Sequence, residues 1–148
     1  MTPARFIAAG FGTGYVPFAA GTAASAAAVI SGVGLMLESP WLLALAAVLA
    51  TFGGYVAVQR ASVEGDPGWV VIDEFAGQWI TLLALSRPSF GGFLAAFILF
   101  RIFDITKPGP VGWADRQHGA FGIMADDVIA GIIAAAVLVS IRLFGLEL

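Results

Sequence analysis

The chain has 148 residues, of which 59% are hydrophobic and 11% are charged, whereas an ordinary soluble domain carries roughly 25% charged residues. Folded in water it would expose a mostly apolar surface, so the composition excludes an ordinary soluble domain and indicates a single membrane domain over residues 1–148. The net charge of −3 does not suggest a nucleic-acid partner, and the absence of cysteine excludes disulfides, thiolate metal sites and cysteine-based catalysis.

Apolar stretches follow one another along the chain, and prolines fall between them. A helix needs about 20 mostly apolar residues to cross a bilayer, and proline ends helices. The pattern predicts an all-α, polytopic helical bundle with about five membrane spans. These are Ala19–Leu37, Trp41–Val58, Trp69–Leu85, Phe90–Phe103 and Val128–Leu143.

The basic residues orient this bundle. If the N-terminus is cytoplasmic, the cations on the inner side are Arg5, Arg60, Arg101, Lys107 and Arg116. Only Arg87 and Arg142 fall on the outer side, and the last residue, Leu148, is predicted to lie on that side too. This agrees with the positive-inside rule. Because the Gly-rich and acidic segments collect on the inner side, an active site is expected at the cytoplasmic face.

The third predicted span contains two adjacent acids, Asp73 and Glu74, about one turn from its start. A carboxylate inside a membrane is costly, so such residues usually face the bundle interior and mark a functional site. The structural alternative is that these acids reach water at the interface or pair with Arg60. Gly77, one turn beyond Asp73, leaves room for a neighbouring helix or a ligand.

A second acidic pair, Asp126 and Asp127, opens the fifth predicted span. One aspartate would be explained as a helix N-cap. Two adjacent like charges instead indicate a bound cation or a catalytic role. Gly131 follows Asp127 at the same spacing at which Gly77 follows Asp73.

Three charged residues, Arg101, Asp104 and Lys107, are spaced three apart before Pro108, so a helix would present them on one face. They form either a structural ion-pair ladder or an acid for a metal beside two cations for phosphate. The Gly-rich stretch from Gly10 to Thr22 precedes a helix and could turn N–H groups toward an anion, which makes Thr22 a candidate for binding substrate.

The acids together predict Mg²⁺, because this hard cation is bound by carboxylates, waters and substrate phosphate. The candidate catalytic and metal-binding residues are Asp73, Glu74, Asp104, Asp126 and Asp127, and the candidate substrate-binding residues are Arg101, Lys107 and Thr22. Zinc is disfavoured by a single histidine and no cysteine. His118 is interpreted as a solvated loop residue, and Asp66 as part of a turn.

Four segments of the chain resemble the phosphatidylglycerophosphatase A family, in the family's order and over nearly the whole length. They are GTGYVPFAAGTAAS (12–25), DPGWVVIDEFAGQ (66–78), FRIFDITKPGPVG (100–112) and GIMADDVIAG (122–131). The resemblance implies a Mg²⁺-dependent enzyme of the bacterial inner membrane that converts phosphatidylglycerophosphate to phosphatidylglycerol. It also implies that the active site contains Asp73, Glu74, Asp104, Lys107, Asp126 and Asp127, and Arg101 matches the same pattern.

The resemblance alone narrows the substrate to one phospholipid, which would enter from the inner leaflet. Two other functions stay open at this point. One is a phosphatase of another phosphorylated lipid, such as phosphatidic acid. The other is a cation-coupled transporter, which should carry its acids toward the midplane, often on inverted repeats. A non-enzymatic scaffold would explain the apolar spans but not the acids within them.

Overall fold

The structure, a computed structural model, describes residues 1–145, and its regular secondary structure in that range is entirely helical. The α-helices are α1 (Pro3–Ala8), α2 (Ala20–Glu38), α3 (Pro40–Val48), α4 (Gly54–Arg60), α5 (Ile72–Leu82), α6 (Phe90–Thr106), α7 (Pro110–Asp115) and α8 (Gly119–Leu143). A 3₁₀ segment, Gly10–Tyr15, follows α1 and is kinked at Phe11 and Gly12, which both have positive φ; a π-helical turn, Leu49–Gly53, joins α3 to α4. The all-α prediction is confirmed for the described part of the chain.

Local sequence signals explain where several helices begin. The Ser39 side chain accepts a hydrogen bond from the Trp41 N–H at 3.2 Å, and Pro40 occupies the first turn of α3. The Ser89 side chain accepts from the Gly92 N–H at 3.0 Å at the start of α6. Both serines satisfy a backbone N–H that has no partner within its helix. Proline fits the first turn because its missing N–H would be unpaired there anyway.

Three helical segments are long and apolar enough to cross a membrane, namely α2, the continuous segment Pro40–Arg60, and α8. They correspond to the first, second and fifth predicted spans. The third falls on α5, whose 11 residues extend only about 16 Å against a hydrocarbon core of about 30 Å. The fourth falls on α6, with 17 residues. The five-span arrangement therefore stays a prediction, and Leu148 lies outside the described residues.

The short helix α5 lies at the centre of the bundle. Nine of its 11 residues are buried, and α2, α3, α6 and α8 all pack against it. Small residues on α2, including Ala28 and Gly32, allow close approach, and the Trp79 indole N–H donates to the Ala28 carbonyl at 2.8 Å. Because neighbouring helices enclose α5, it need not reach across the bilayer by itself.

The N-terminal segment fixes the start of α5. The Val71 N–H donates to the Ala8 carbonyl at 3.0 Å, and the Arg5 guanidinium lies over the Trp69 ring at 4.5 Å from its centroid. The Gly-rich stretch from Gly10 to Thr22 is not one continuous loop. It forms the kinked 3₁₀ segment and then enters α2 at Ala20, so Thr22 lies in the first turn of a helix.

Candidate active site

The site is built on a close crossing of α5 and α8 at two glycines. A Cβ atom at Gly131 would lie 2.8 Å from the Gly77 Cα, so only glycine lets the two backbones approach this closely. The sequence predicted room at Gly77 for a neighbouring helix or a ligand, and the structure places a neighbouring helix there. Asp73 and Asp127 each precede their glycine by one turn, so the crossing brings both carboxylates to one cavity.

This cavity has a volume of about 160 Å³ and collects residues from four separate parts of the sequence. Its lining includes all five acids that the sequence proposed for the site, together with Lys107. Glu74, Asp126 and Asp127 are each less than 8% exposed. Water therefore screens their charges weakly, and the arrangement attracts cations strongly.

Arg101, on α6, links polar side chains of α2, α5 and α6 at one side of the cavity. Its Nη1 donates to the two Glu74 carboxylate oxygens at 2.7 and 2.8 Å and also to Asp104. Its Nη2 reaches the Thr22 hydroxyl at 3.3 Å. The structural alternative for Glu74 named Arg60 as its partner, and this is wrong, because Glu74 pairs with Arg101 instead.

Ser25 completes the environment of Glu74. This serine is fully buried on α2, and its hydroxyl donates a hydrogen bond to Glu74. Gly21 lies one turn earlier, where a Cβ would meet the Glu74 carboxylate. The small residues at the start of α2 thus admit the acid and hold it in one orientation.

Lys107 leaves the helical face that the sequence assigned to it. Arg101 and Asp104 do share a face of α6, but the helix ends at Thr106 and Lys107 adopts a left-handed conformation with φ 47°. Its Nζ donates to Asp126 at 2.5 Å and to Asp115 at 2.6 Å. Burial lowers the pKa of Lys107, but these hydrogen bonds outweigh it and the pKa is raised overall. Lys107 is therefore a fixed positive charge on the cavity wall.

Asp126 and Asp127 lie inside α8, not at its start. The helix begins at Gly119, nine residues before the predicted span, and its N-cap is His118. The N-cap interpretation of the acidic pair is therefore wrong. Asp126 accepts hydrogen bonds from Lys107 and from the Asp127 N–H, and Asp127 forms no ion pair with any cation of residues 1–145.

The donor chemistry of the cavity fits Mg²⁺. Among residues 1–145, no three acidic or histidine side chains already stand in metal-ligand geometry. Mg²⁺ does not require such a set, because it retains several waters and is usually bound by one or two carboxylates together with substrate phosphate. Asp73 and Asp127 are the best placed, since neither carboxylate is engaged by a cation of the described chain.

Three polar residues at the site were missed by sequence reasoning: Ser25, Asp66 and Asp115. Ser25 is a polar residue in an alanine-rich helix, and its position one turn after Gly21 was the signal that could have found it. Asp66 was interpreted only as a turn residue, yet it lines the cavity. Asp115 follows an apolar segment and carries no distinguishing pattern. His118 is exposed, as expected, and lines a neighbouring cavity of about 170 Å³ with Asp66, Asp115 and Asp126.

Several known proteins that are similar to this chain carry the names of lipid phosphatases. A model of the phosphatidylglycerophosphatase A family matches residues 6–142. The Escherichia coli K12 phosphatidylglycerophosphatase A is 43% identical over 141 residues, covering 92% of this chain and 81% of that protein. The Haemophilus influenzae phosphatidylglycerophosphatase A is 40% identical over 147 residues, covering 96% and 90%.

A third relative carries a different name. A Bacteroides thetaiotaomicron protein, provisionally named a phosphatidylinositol-3-phosphatase, is 43% identical over 135 residues and covers 85% of each chain. No solved structure matches the chain.

Proposed function

The chain belongs to the phosphatidylglycerophosphatase A family, and we propose that it hydrolyses the terminal phosphomonoester of phosphatidylglycerophosphate to phosphatidylglycerol and phosphate. One observation carries the proposal at the level of the site. Six carboxylates, the five proposed from the sequence and Asp66, line one cavity with Lys107 within an otherwise apolar bundle, and Arg101 borders it. Acids for a cation beside cations for a phosphate form the set that phosphoryl transfer requires.

The two cations have the geometry to bind the phosphate group of the substrate. Lys107 is held at the cavity wall by two carboxylates. Arg101 directs one guanidinium nitrogen to Glu74 and Asp104, while the other makes only the longer contact to Thr22. In the proposed complex, phosphate oxygens accept hydrogen bonds from Lys107 and from the Arg101 Nη2 group, with Thr22 beside them.

Asp73 and Asp127 would hold Mg²⁺, with Glu74, Asp104 and Asp126 around them. When bound, the ion neutralises charge on the phosphomonoester and polarises its phosphorus. The close crossing at Gly77 and Gly131 keeps the two carboxylates together before substrate arrives. The free energy needed to bring these two acids together is thus provided by folding.

One carboxylate of the group completes the hydrolysis in one of two ways. As a base, it takes a proton from water while the water oxygen bonds to phosphorus, the bond to the glycerol oxygen breaks, and that oxygen gains a proton. As a nucleophile, it first bonds to phosphorus while the bond to the glycerol oxygen breaks and that oxygen gains a proton; water then attacks the phosphorus of this acyl phosphate, which releases phosphate and restores the carboxylate. Rapid acid quenching of a reaction with labelled substrate distinguishes them, because only the second route leaves label on the protein.

The decisive experiment measures phosphate release from phosphatidylglycerophosphate by purified protein in detergent. We expect release with Mg²⁺, loss of release with chelator, and recovery when Mg²⁺ is restored. Asp73→Asn and Asp127→Asn should lose activity by about 100-fold or more, whereas Glu64→Gln, an exposed acid outside the cavity, should retain it. Full activity in both aspartate variants would contradict the proposed site.

A second candidate substrate, which differs in its lipid head group, is supported by one of the relatives. The Bacteroides thetaiotaomicron relative is as similar in identity as the Escherichia coli one, and its name refers to a phosphoinositide. A panel of phosphatidylglycerophosphate, phosphatidylinositol 3-phosphate and phosphatidic acid at equal surface concentration separates these substrates. A higher kcat/KM for either of the latter two would keep the reaction class and replace the substrate.

We further propose a five-span topology in the bacterial inner membrane, with a cytoplasmic N-terminus and the site facing the inner leaflet. Three helices of spanning length support a membrane location, and the Escherichia coli and Haemophilus influenzae relatives are bacterial. The two helices that meet at the glycine crossing both carry their acids before the glycine, toward their N-terminal ends. This supports a site near one membrane face, which a transporter with midplane acids would lack.

A further inference from the structure

The aspartate at the end of α7 contacts the active-site lysine, although no sequence pattern singles it out. Asp115 Oδ1 accepts a hydrogen bond from Lys107 Nζ at 2.6 Å, while Asp126 Oδ2 accepts another at 2.5 Å. An ammonium group has three N–H donors. Two fixed acceptors therefore leave one donor and determine its direction.

The backbone between the two residues is built to keep this pair together. Lys107 and Gly109 both have φ 47°, and prolines flank Gly109 on both sides. The chain then folds back in α7, where Gly112 lies so close to the Lys107 carbonyl that a Cβ would clash with it. This short, stiff turn begins at Lys107 and brings Asp115 back to the Lys107 side chain.

The two residues of this pair line two different polar cavities. Lys107 lines the cavity of the proposed site, whereas Asp115 lines the neighbouring cavity with His118. Asp66 and Asp126 line both. Asp115 therefore contacts the ammonium from the neighbouring cavity, whereas the proposed phosphate would lie in the cavity that Lys107 lines.

We infer that Asp115 is a positioning residue, which aims the remaining Lys107 N–H at the phosphate of the substrate. This inference rests on the proposed function. A purely stabilising role is disfavoured, because the Asp115 side chain is 40% exposed and that of Lys107 31% exposed, and exposed ion pairs add little to stability. Removing the pair should thus affect phosphate binding more than folding.

The test compares Asp115→Ala, Asp115→Asn and Lys107→Met, singly and combined. Asp115→Ala should lower kcat/KM and weaken the binding of inorganic phosphate by about tenfold, with little change in melting temperature. Asp115→Asn retains an acceptor for the ammonium and should restore most of the loss. In the Lys107→Met background, Asp115→Ala should have no further effect, since it acts through the lysine. Arg116→Ala, at the next and exposed position, is the matched control.

Several results would overturn the inference. A loss that persists in the Lys107→Met background would mean that Asp115 acts independently of the lysine. Tighter phosphate binding by Asp115→Ala would mean that the carboxylate competes with phosphate for the ammonium. Wild-type protein that binds inorganic phosphate but does not hydrolyse phosphatidylglycerophosphate would overturn the proposed substrate, and the binding comparison would still decide the role of Asp115.

Discussion

Arg101 has the most polar partners of the proposed phosphate-binding residues. It contacts Glu74, Asp104 and Thr22 from three directions, which join α2, α5 and α6. A guanidinium presents several donors in one plane, whereas an ammonium is a point charge on a flexible stem. The identity of the cation, and not only its charge, is therefore decisive at this position.

Arg101→Lys is expected to lower kcat/KM for phosphatidylglycerophosphate by about 10- to 100-fold. Lysine would retain the charge but could not bind Glu74 and Asp104 while also reaching toward Thr22. Arg60→Lys, which alters an exposed arginine outside the cavity, should have wild-type kinetics. Equal activity of the two variants in a steady-state assay would show that the planar geometry of Arg101 is not used.

Residue identities in the site followed from the sequence better than residue partners did. Carboxylates stand out in an apolar chain because each is costly there, so Asp73, Glu74 and the Asp126–Asp127 pair were identified. The sequence left Arg101 as either part of an ion-pair ladder on its own helix or a cation for phosphate, and neither alternative named Glu74, which lies 27 residues away, as its partner. Asp115 was missed because an exposed acid near a turn resembles many others until the backbone returns it to Lys107.

At the scale of helices, the glycine crossing is the feature that assembles the site. Gly77 contacts α6 and α8 together, since a Cβ there would lie 2.9 Å from Phe100 Cζ and closer still to the Asp127 carbonyl. The carbonyl belongs to a helix backbone and cannot rotate away as a side chain would. Any side chain at residue 77 must therefore separate the helices that carry the two free carboxylates.

Gly77→Ala is expected to destabilise the protein by about 1–3 kcal/mol, the usual effect of overpacking a core, and to reduce activity by displacing Asp127. Gly34→Ala is the matched control, because it also lies within a helix but has nothing within 4 Å of the added Cβ. Alanine favours helix over glycine by up to about 1 kcal/mol, so this control should be neutral or stabilising. Thermal unfolding in detergent and phosphate release measure both effects, and an unaltered Gly77→Ala protein would contradict the close crossing.

Helix boundaries were predicted less well than the existence of the helices. The last helix begins at Gly119, not near Val128, because two glycines and two aspartates made residues 119–127 resemble a loop. Contacts with other parts of the protein allow these residues to be helical. Asp126 accepts a hydrogen bond from Lys107, and Gly122 packs against the Gln117 carbonyl. Helix α5 begins at Ile72, and the N–H of the preceding residue, Val71, donates a hydrogen bond to the Ala8 carbonyl.

For the molecule as a whole, the proposed five-span topology specifies how the bundle sits in the bilayer. Helix α5, with 11 residues, is too short to span the bilayer by itself, and α6 has 17 residues against 25 in α8. The topology of these two helices therefore has to be tested by the side of the membrane on which their flanking turns lie. The five-span arrangement requires that the turn after α2 and the turn after α5 lie on one side of the membrane. The segments after α4 and around α7 must then lie on the other side, with the cavity.

Single cysteines test this arrangement cleanly, because the natural chain has none. The exposed positions Glu38 and Ser86 should lie outside, and Glu64 and Arg116 inside. In intact spheroplasts, a membrane-impermeant maleimide should label Glu38→Cys and Ser86→Cys, but label Glu64→Cys and Arg116→Cys only after the membrane is permeabilised. Labelling of Arg116→Cys in intact cells would move the site to the outer face. Protection of Ser86→Cys would mean that α5 and α6 enter and leave the bilayer from one side, as a re-entrant pair enclosed by the three longer segments.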